Sequence, residues 1–238
     1  MYARTDQAPV LLVGAAHVVD LSGPLHRLLD ARVLDGVAIE LDRERAEAMF
    51  APEGPGRTAR RGPLLPRLWG RIQRRLGAEL GGGPPGAEMK VAATIARERG
   101  LPLFLVDDPI RDTLANLLRA LPVKERVMLL ASAFAGLFVP ARVVSKEMEQ
   151  YAAAPEAFTD ELRLASPTLA RVLVDDRNEH MAARLADLRA RGFGRIAAVV
   201  GDAHLPGLAE ALRRRGVPVE TVPFSRLRGL TGPSASPA

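Results

Sequence analysis

Apolar residues in this chain fall into two rhythms that alternate. Short unbroken runs, Val10 to Val13, Val37 to Ile39, Leu103 to Val106 and Ile196 to Val200, are the length of buried strands. Between them leucines recur at helical spacing: Leu21, Leu25, Leu28 and Leu29 after the first run, and Leu205, Leu208 and Leu212 after the fourth. The second predicted strand, Gly36 to Leu41, closes on Glu40, and a helix is expected from about Arg43. Another helix is predicted from Ala87 to Arg99, with Gly100 as its C-cap, and the third strand closes on Asp107-Asp108. From Ile110 to Arg191 the text reads as helices divided by Pro122, Pro140, Pro155 and Pro167. Leu173 to Arg191 is the most regular of them, with Met181, Leu185 and Leu188 on one face. A last short strand is expected over Val217 to Val222.

Strand and helix in alternation specify an α/β fold: a central, mostly parallel sheet flanked by helices, with two strand-Gly-x-x-His-helix units. One domain is expected over 1–227, with a helical insertion at about 45–86 and a disordered tail at 228–238, where Gly, Ser and Pro accumulate. Gly81-Gly82-Gly83-Pro84-Pro85-Gly86 reads as a flexible connector. With 238 residues, 47% of them hydrophobic, the chain can bury one sizeable core.

The Gly-x-x-His phrase carries the candidate chemistry. With 21 glycines and four histidines in 238 residues, less than one chance match is expected, and three occur. Gly14-Ala15-Ala16-His17 and Gly201-Asp202-Ala203-His204 each follow a strand and precede a helix. The third, Gly23 to His26, has no strand before it, and His26 is read as an ordinary helix histidine. Strand ends are where α/β sheets present reactive groups. Gly14 and Gly201 are expected to let the backbone turn sharply and approach closely just before each histidine.

Two imidazoles and one carboxylate can hold a divalent ion and leave positions for water. His17, His204 and Glu40 are the set that offers this from strand ends. Such an ion acidifies its water to a pKa of about 7, and the resulting hydroxide attacks amide or ester carbonyls. Arg45 and Arg177 are the residues to orient Glu40, clamp a substrate carboxylate or stabilise an oxyanion. Asp202, Asn178 and Glu88 are expected to line the site, although Glu88 also suits a helix first turn and Asp42 an N-cap. Asp107-Asp108-Pro109 reads as a strand-to-helix turn.

Composition removes several alternatives. There is no cysteine, so disulfides, thiolate metal sites and a Cys nucleophile are excluded, and any metal must be held by His and carboxylate. The net charge of +5 is carried by arginine, with only Lys90, Lys124 and Lys146 as lysines, and no nucleic-acid partner is expected. Arg57 to Arg75 has seven arginines and no acid, with Leu65, Leu68, Trp69, Ile72 and Leu76 at helical spacing. It is read as a basic amphipathic helix packed by its apolar stripe, with a lid or anionic-ligand surface as the sharper alternative and membrane-surface binding as a third. Met1 to Pro9 has no apolar stretch suited to a signal peptide, and Val127 to Val139 is too short to span a bilayer. A cytoplasmic chain is expected.

An ordered series of short strings resembles one family. Gly14-Ala15-Ala16-His17-Val18, then Glu40-Leu41-Asp42 with Arg45, Glu88-Met89 with Ala92 and Ala96, Ile110 with Thr113-Leu114, Arg177-Asn178 with Met181-Ala182, and Gly201-Asp202-Ala203-His204-Leu205 with Gly207, together resemble the TraB/PrgY pheromone-shutdown family. That family is grouped with Tiki metalloproteases, ChaN-type haem-binding lipoproteins and erythromycin esterases. The resemblance implies a metal-dependent, peptidase-like hydrolase, with Mn, Co or Zn as its cofactor. Its partners would be a peptide or small-molecule substrate and, as an open expectation, a second copy of the chain in a homodimer. Ala15 stands where the family usually has Thr, and Asp107-Asp108-Pro109 where it tends to read Asp-Arg-Asp. A non-catalytic haem or ligand binder built on the same His pair is the alternative, although one Trp, two Tyr and seven Phe supply a haem cavity poorly. An interaction protein using the Arg57–Arg75 helix is a third class. Dinucleotide binding is not expected, since no Gly-x-Gly-x-x-Gly follows the first strand.

Overall fold

The structure is a computed structural model and describes residues 8–15, 21–51, 86–127 and 155–229. His17, the Arg57–Arg75 segment and most of the glycine-proline connector therefore lie outside the described residues. Five strands, β1 (Val10–Ala15), β2 (Gly36–Ile39), β3 (Leu103–Leu105), β4 (Ile196–Gly201) and β5 (Val219–Val222), form one sheet in the order β3-β2-β4-β1-β5. Every pairing among the described residues is parallel, so the expectation of a mostly parallel sheet becomes a wholly parallel one there.

Around it stand α1 (Ser22–Asp30), α2 (Arg43–Phe50), α3 (Ala87–Glu98), α4 (Ile110–Ala120), α5 (Pro155–Ala165), α6 (Pro167–Ala170), α7 (Asp176–Ala190), α8 (Leu205–Arg214) and α9 (Phe224–Gly229). The last helix runs through Arg228 and Gly229, the first two residues of the stretch expected to be disordered. The C-terminal strand is shorter than expected, starting at Val219 rather than Val217.

Parity along the strands explains their unbroken apolar text. Leu11, Val13 and Ala15 of β1 pack with Leu25 and Leu29 of α1, Met89 of α3 and Phe224 of α9. Val10 and Leu12 face the other way, onto Met181 and Leu185 of α7 and Leu208 and Leu212 of α8. A strand covered on both faces has no solvent side to make polar, as parallel sheets require. Each fully buried Leu contributes roughly 1.5–3 kcal/mol, and Leu25, Leu29, Leu185, Leu208 and Leu212 are all at or below 1% exposure.

Local signals set the ends of the helices. Asp42 is the N-cap of α2, accepting from the Arg45 N–H at 2.8 Å. Ser166 caps α6, with Pro167 at its first position. Gly100 takes φ 62° just past α3, while Leu101 N–H returns to the Ala96 carbonyl, the left-handed ending expected of a glycine there.

The topology places a crevice between the two Gly-x-x-His strands. β1 and β4 are neighbours, with Ala15 opposite Gly201. From β1 the chain passes to α1 on one face, whereas from β4 it passes to α8 on the other. Adjacent parallel strands whose connections leave on opposite faces open a cleft at their carboxyl ends, the usual ligand position of open α/β sheets.

Candidate functional site

At the carboxyl edge of the sheet, Glu40 follows β2 and His204 closes the single 3-10 turn Asp202–His204 after β4. Their side chains meet, with Glu40 Oε1 3.4 Å from His204 Nε2. The Glu40 backbone N–H continues the ladder to Val199 O at 3.1 Å, which fixes the carboxylate beside the end of β4. Its Oε2 then accepts from the Gly201 N–H at 2.6 Å.

Arg177, in the first turn of α7, crosses the gap. Its Nη2 donates to Glu40 Oε1 and, at 2.6 Å, to Asp107 Oδ2; Nε reaches Asp107 Oδ1 at 3.0 Å. Nη1 meets His204 Nε2 at 3.2 Å and Leu173 O at 3.1 Å. All five guanidinium N–H groups thus have an acceptor. Leu173 belongs to a π-helical turn, Arg171–Asp175, that leads directly into α7. Such turns interrupt the regular ladder and are frequent at functional sites.

His204 has its tautomer assigned by its neighbours. A guanidinium only donates, so Nε2 accepts, and Nδ1 carries the proton toward Asn178 Oδ1 at 2.8 Å. Burial opposes ionisation of Glu40. The charge of His204 when protonated, the Arg177 guanidinium and the Gly201 N–H outweigh it and hold the carboxyl well below the usual carboxylate range. For Arg177 burial acts the other way too, and Glu40 and Asp107 overcome it, raising its pKa.

The network continues outward. Asp107, fully buried, also accepts from Arg45 Nη2, and Arg45 Nε donates to Asp42 Oδ2 at 2.6 Å. That oxygen receives the Ile110 N–H at 3.1 Å as well, so one carboxylate serves the first turns of both α2 and α4. Burial works against the charge on Asp42, but its hydrogen bonds with Arg45 lower its pKa on balance. Beyond Asp107, Asp108 Oδ1 pairs with His180 Nδ1 at 2.8 Å.

The expected site residues therefore separate. Glu40, His204, Arg177 and Asn178 come together, with Arg45 one step away through Asp107. His17 lies outside the described residues, two positions past Ala15. Asp202 turns from the cluster to hold the Phe224 N–H at 2.8 Å. Glu88 is buried in the first turn of α3, whose Met89 and Ala92 pack on the face opposite α7. Neither Gly14 nor Gly201 needs a positive φ. What they supply is close approach: a Cβ on Gly14 would fall 1.8 Å from Asp202 Oδ1, and one on Gly201 3.3 Å from Glu40 Oε2. The hub missed in the sequence is Asp107, whose strand-end position among Glu40 and the histidines was its only signal.

Whether these side chains fit a metal can be judged from their partners. Two ligands about 2.1 Å from one ion at a tetrahedral angle lie roughly 3.4 Å apart, which is the Glu40–His204 separation. Yet the Arg177 guanidinium already bridges both atoms. A dication would have to share Glu40 with a fixed cation, and among the described residues no three His, Asp or Glu side chains gather as ligands. In this arrangement the described side chains do not fit a divalent ion.

The TraB/PrgY/gumN family matches residues 3–221. The chain belongs to this family. A relative, the uncharacterized protein MJ1365 of Methanocaldococcus jannaschii, is 28% identical over 223 residues, covering 90% of this chain and 56% of that protein. The chain thus spans little more than half the length of the curated relative it matches. No helix among the described residues is long and apolar enough to cross a membrane.

Proposed function

We propose that this member of the TraB/PrgY/gumN family is a hydrolase that cleaves an amide or ester bond, in a peptide or a small molecule, over the Glu40–His204–Arg177 cluster. The observation that carries this reading is the meeting of Glu40 and His204 within 3.4 Å at the carboxyl edge of a parallel sheet. In such a reaction water adds to the carbonyl carbon, the bond to the leaving group breaks, and the proton lost by water ends on the leaving group. Glu40, kept ionised and held in place by Arg177 and the Gly201 N–H, is the acceptor that orients the water, and His204, whose Nε2 accepts from Arg177 Nη1, fixes that guanidinium beside it. Arg177, with every donor engaged, acts as a positioning residue rather than a substrate clamp. The clamp role falls to Arg45, whose side chain is 30% exposed and whose Nη1 has no acceptor among the described residues.

A metal-dependent form of the same hydrolase is the second reading, with Mn, Co or Zn held by His17, Glu40 and His204 while Arg177 swings away. The spacing of Glu40 and His204 favours it; the bridging guanidinium opposes it. The two forms are separated by assaying p-nitrophenyl butyrate and alanine p-nitroanilide with and without chelator, alongside elemental analysis. Glu40→Gln and His204→Ala are each expected to lower kcat at least about 100-fold, with the fold verified by circular dichroism. Full turnover in either variant would sink the hydrolase reading. Stoichiometric metal that disappears in His204→Ala would select the metal form, and a Soret band on adding haemin without turnover would select a binding protein instead.

A further inference from the structure

We infer that His180, oriented by Asp108, is a proton-transfer residue of this site; the inference rests on the hydrolase reading above and names the group that accepts and returns the proton. Hydrolysis needs a base that takes the proton of the attacking water and an acid that delivers it to the leaving group. The buried cluster is poorly supplied with either. Arg177 is permanently charged, and each of its N–H groups is committed. Glu40 is held well below the usual carboxylate range, which makes it a weak base. Both ring nitrogens of His204 already have partners.

His180 stands one helical step away with the complementary properties. It is three residues beyond Arg177 on α7, so the two side chains leave the same face of the helix, and both reach the end of β3. Arg177 takes Asp107 there and His180 takes Asp108, the next residue, at 2.8 Å. Where the inner pair is sealed, with Asp107 at 0% exposure, the His180 and Asp108 side chains are 34% and 31% exposed and open to a ligand. The Asp108 contact fixes the proton on Nδ1, leaving Nε2 of this partly exposed side chain with no partner among the described residues. A carboxylate on one imidazole nitrogen with the other facing the reactant is the arrangement of a working acid-base histidine. The charged groups nearest the pair are Asp107 and Arg177 on its inner side and Asp112 in the first turn of α4.

In the step this assigns, Nε2 accepts the proton of the water as its oxygen bonds the carbonyl carbon, and the imidazolium returns that proton to the leaving nitrogen or oxygen as its bond to carbon breaks. No oxidant or further reactant is required.

Two measurements on the full chain test it, one of them independent of turnover. Long-range nitrogen-proton correlation spectra of histidine-labelled protein, assigned with His180→Gln, are expected to show His180 protonated at Nδ1 and bare at Nε2 at neutral pH. Asp108→Ala should move the proton toward Nε2. A His180 protonated at Nε2 in the wild type overturns the inference whatever the chain hydrolyses. For p-nitrophenyl butyrate or alanine p-nitroanilide, His180→Ala should lower kcat about 10²–10⁴-fold with KM little changed, and added imidazole should restore part of the loss. Unchanged kcat in His180→Ala alongside a dead Glu40→Gln overturns the inference and leaves the hydrolase standing. The expected tautomer with no turnover of any probe defeats the hydrolase reading, and the proton-transfer role with it.

Discussion

Two rings of polar side chains surround the same sheet edge, and they are built on opposite terms. The inner one, Glu40, His204, Arg177 and Asp107, is closed: exposures run from 0% to 16%, and the donors of Arg177 are all engaged. The outer one, Asp108 with His180 and the free end of Arg45, is about one-third exposed and retains unfilled hydrogen-bonding positions. In a low-dielectric interior a charged group is tolerated only when it is paired, so the inner ring is obliged to be rigid. Its rigidity aligns strand ends and helix starts from five elements. The outer ring, relieved of that obligation, is free to exchange partners with a ligand. The shape of the site is thus held by one set of charges, while its open hydrogen-bonding positions belong to another.

The widest separation between the rings should appear on truncation. Arg177→Ala would leave Glu40 buried without its guanidinium and Asp107 with Arg45 alone, a loss of about 3–5 kcal/mol, whereas His180→Ala, in a partly exposed pair, should cost about 0–1 kcal/mol. Urea denaturation midpoints with unchanged slopes would report both. Equal losses at the two positions would mean that the rings are one structure.

Acid titration sharpens the same contrast, because Glu40 of the inner ring and Asp108 of the outer one shift in opposite directions. The folded-state pKa of Glu40 is lowered, so its contribution is complete above the unfolded value of about 4.3 and is lost as pH falls below it. Asp108 is raised, with burial as the main cause and Asp107 adding to it against the opposing His180. In the interval between the unfolded value of about 3.9 and its higher folded value, the native state holds the extra proton, so stability declines as pH rises through that interval. Stability measured from pH 3 to 7 should therefore show a shallower acid limb in Glu40→Gln, Asp42 and the other paired carboxyls keeping their share of it, and lose a decline at higher pH in Asp108→Asn. The same change of slope in both variants would contradict the assignment.

How much of this was legible beforehand differs between fold and site for a physical reason. Strands buried on both faces write themselves as unbroken apolar runs, and α8 announces its face through Leu205, Leu208 and Leu212, all at or below 5% exposure. Asp42 was readable as a cap because capping is local, decided within three residues. Asp107 was not, because its role depends on Arg177, 70 positions further along the chain. The Asp107-Asp108-Pro109 string does make a turn, and nothing in its spacing reveals that two different carboxylates there serve two adjacent residues of one helix face. Arg177 was legible as a candidate with three roles, orienting Glu40 among them, but the choice between them was not: a guanidinium free to clamp a substrate is distinguished from one already saturated only by counting its acceptors. Gly14 and Gly201 were found for close approach, which the crowding at both positions bears out, and neither takes the positive φ that would by itself require glycine.

The finest probe of the comparison touches neither ring directly. Gly207, in the first turn of α8, lies where an added Cβ would come within 2.4 Å of Asn178 Nδ2. Exchanging glycine for alanine in a helix gains up to about 1 kcal/mol, but the amide of Asn178 must give way, since the backbone of two packed helices yields less easily than a side-chain terminus. That amide is the acceptor holding the Nδ1 proton of His204. Displaced, it leaves a buried N–H unsatisfied, at a cost of about 1–3 kcal/mol. The opposing terms predict that Gly207→Ala is destabilised by only about 1 kcal/mol in net, while the ring nitrogens of His204 change their proton distribution and those of His180 do not. Nitrogen chemical shifts of the two histidines in this variant would separate the rings at the smallest perturbation: a coupled change in both would show that the outer dyad takes its geometry from the inner cluster, and a change in neither would show that Asn178 does not fix the tautomer of His204.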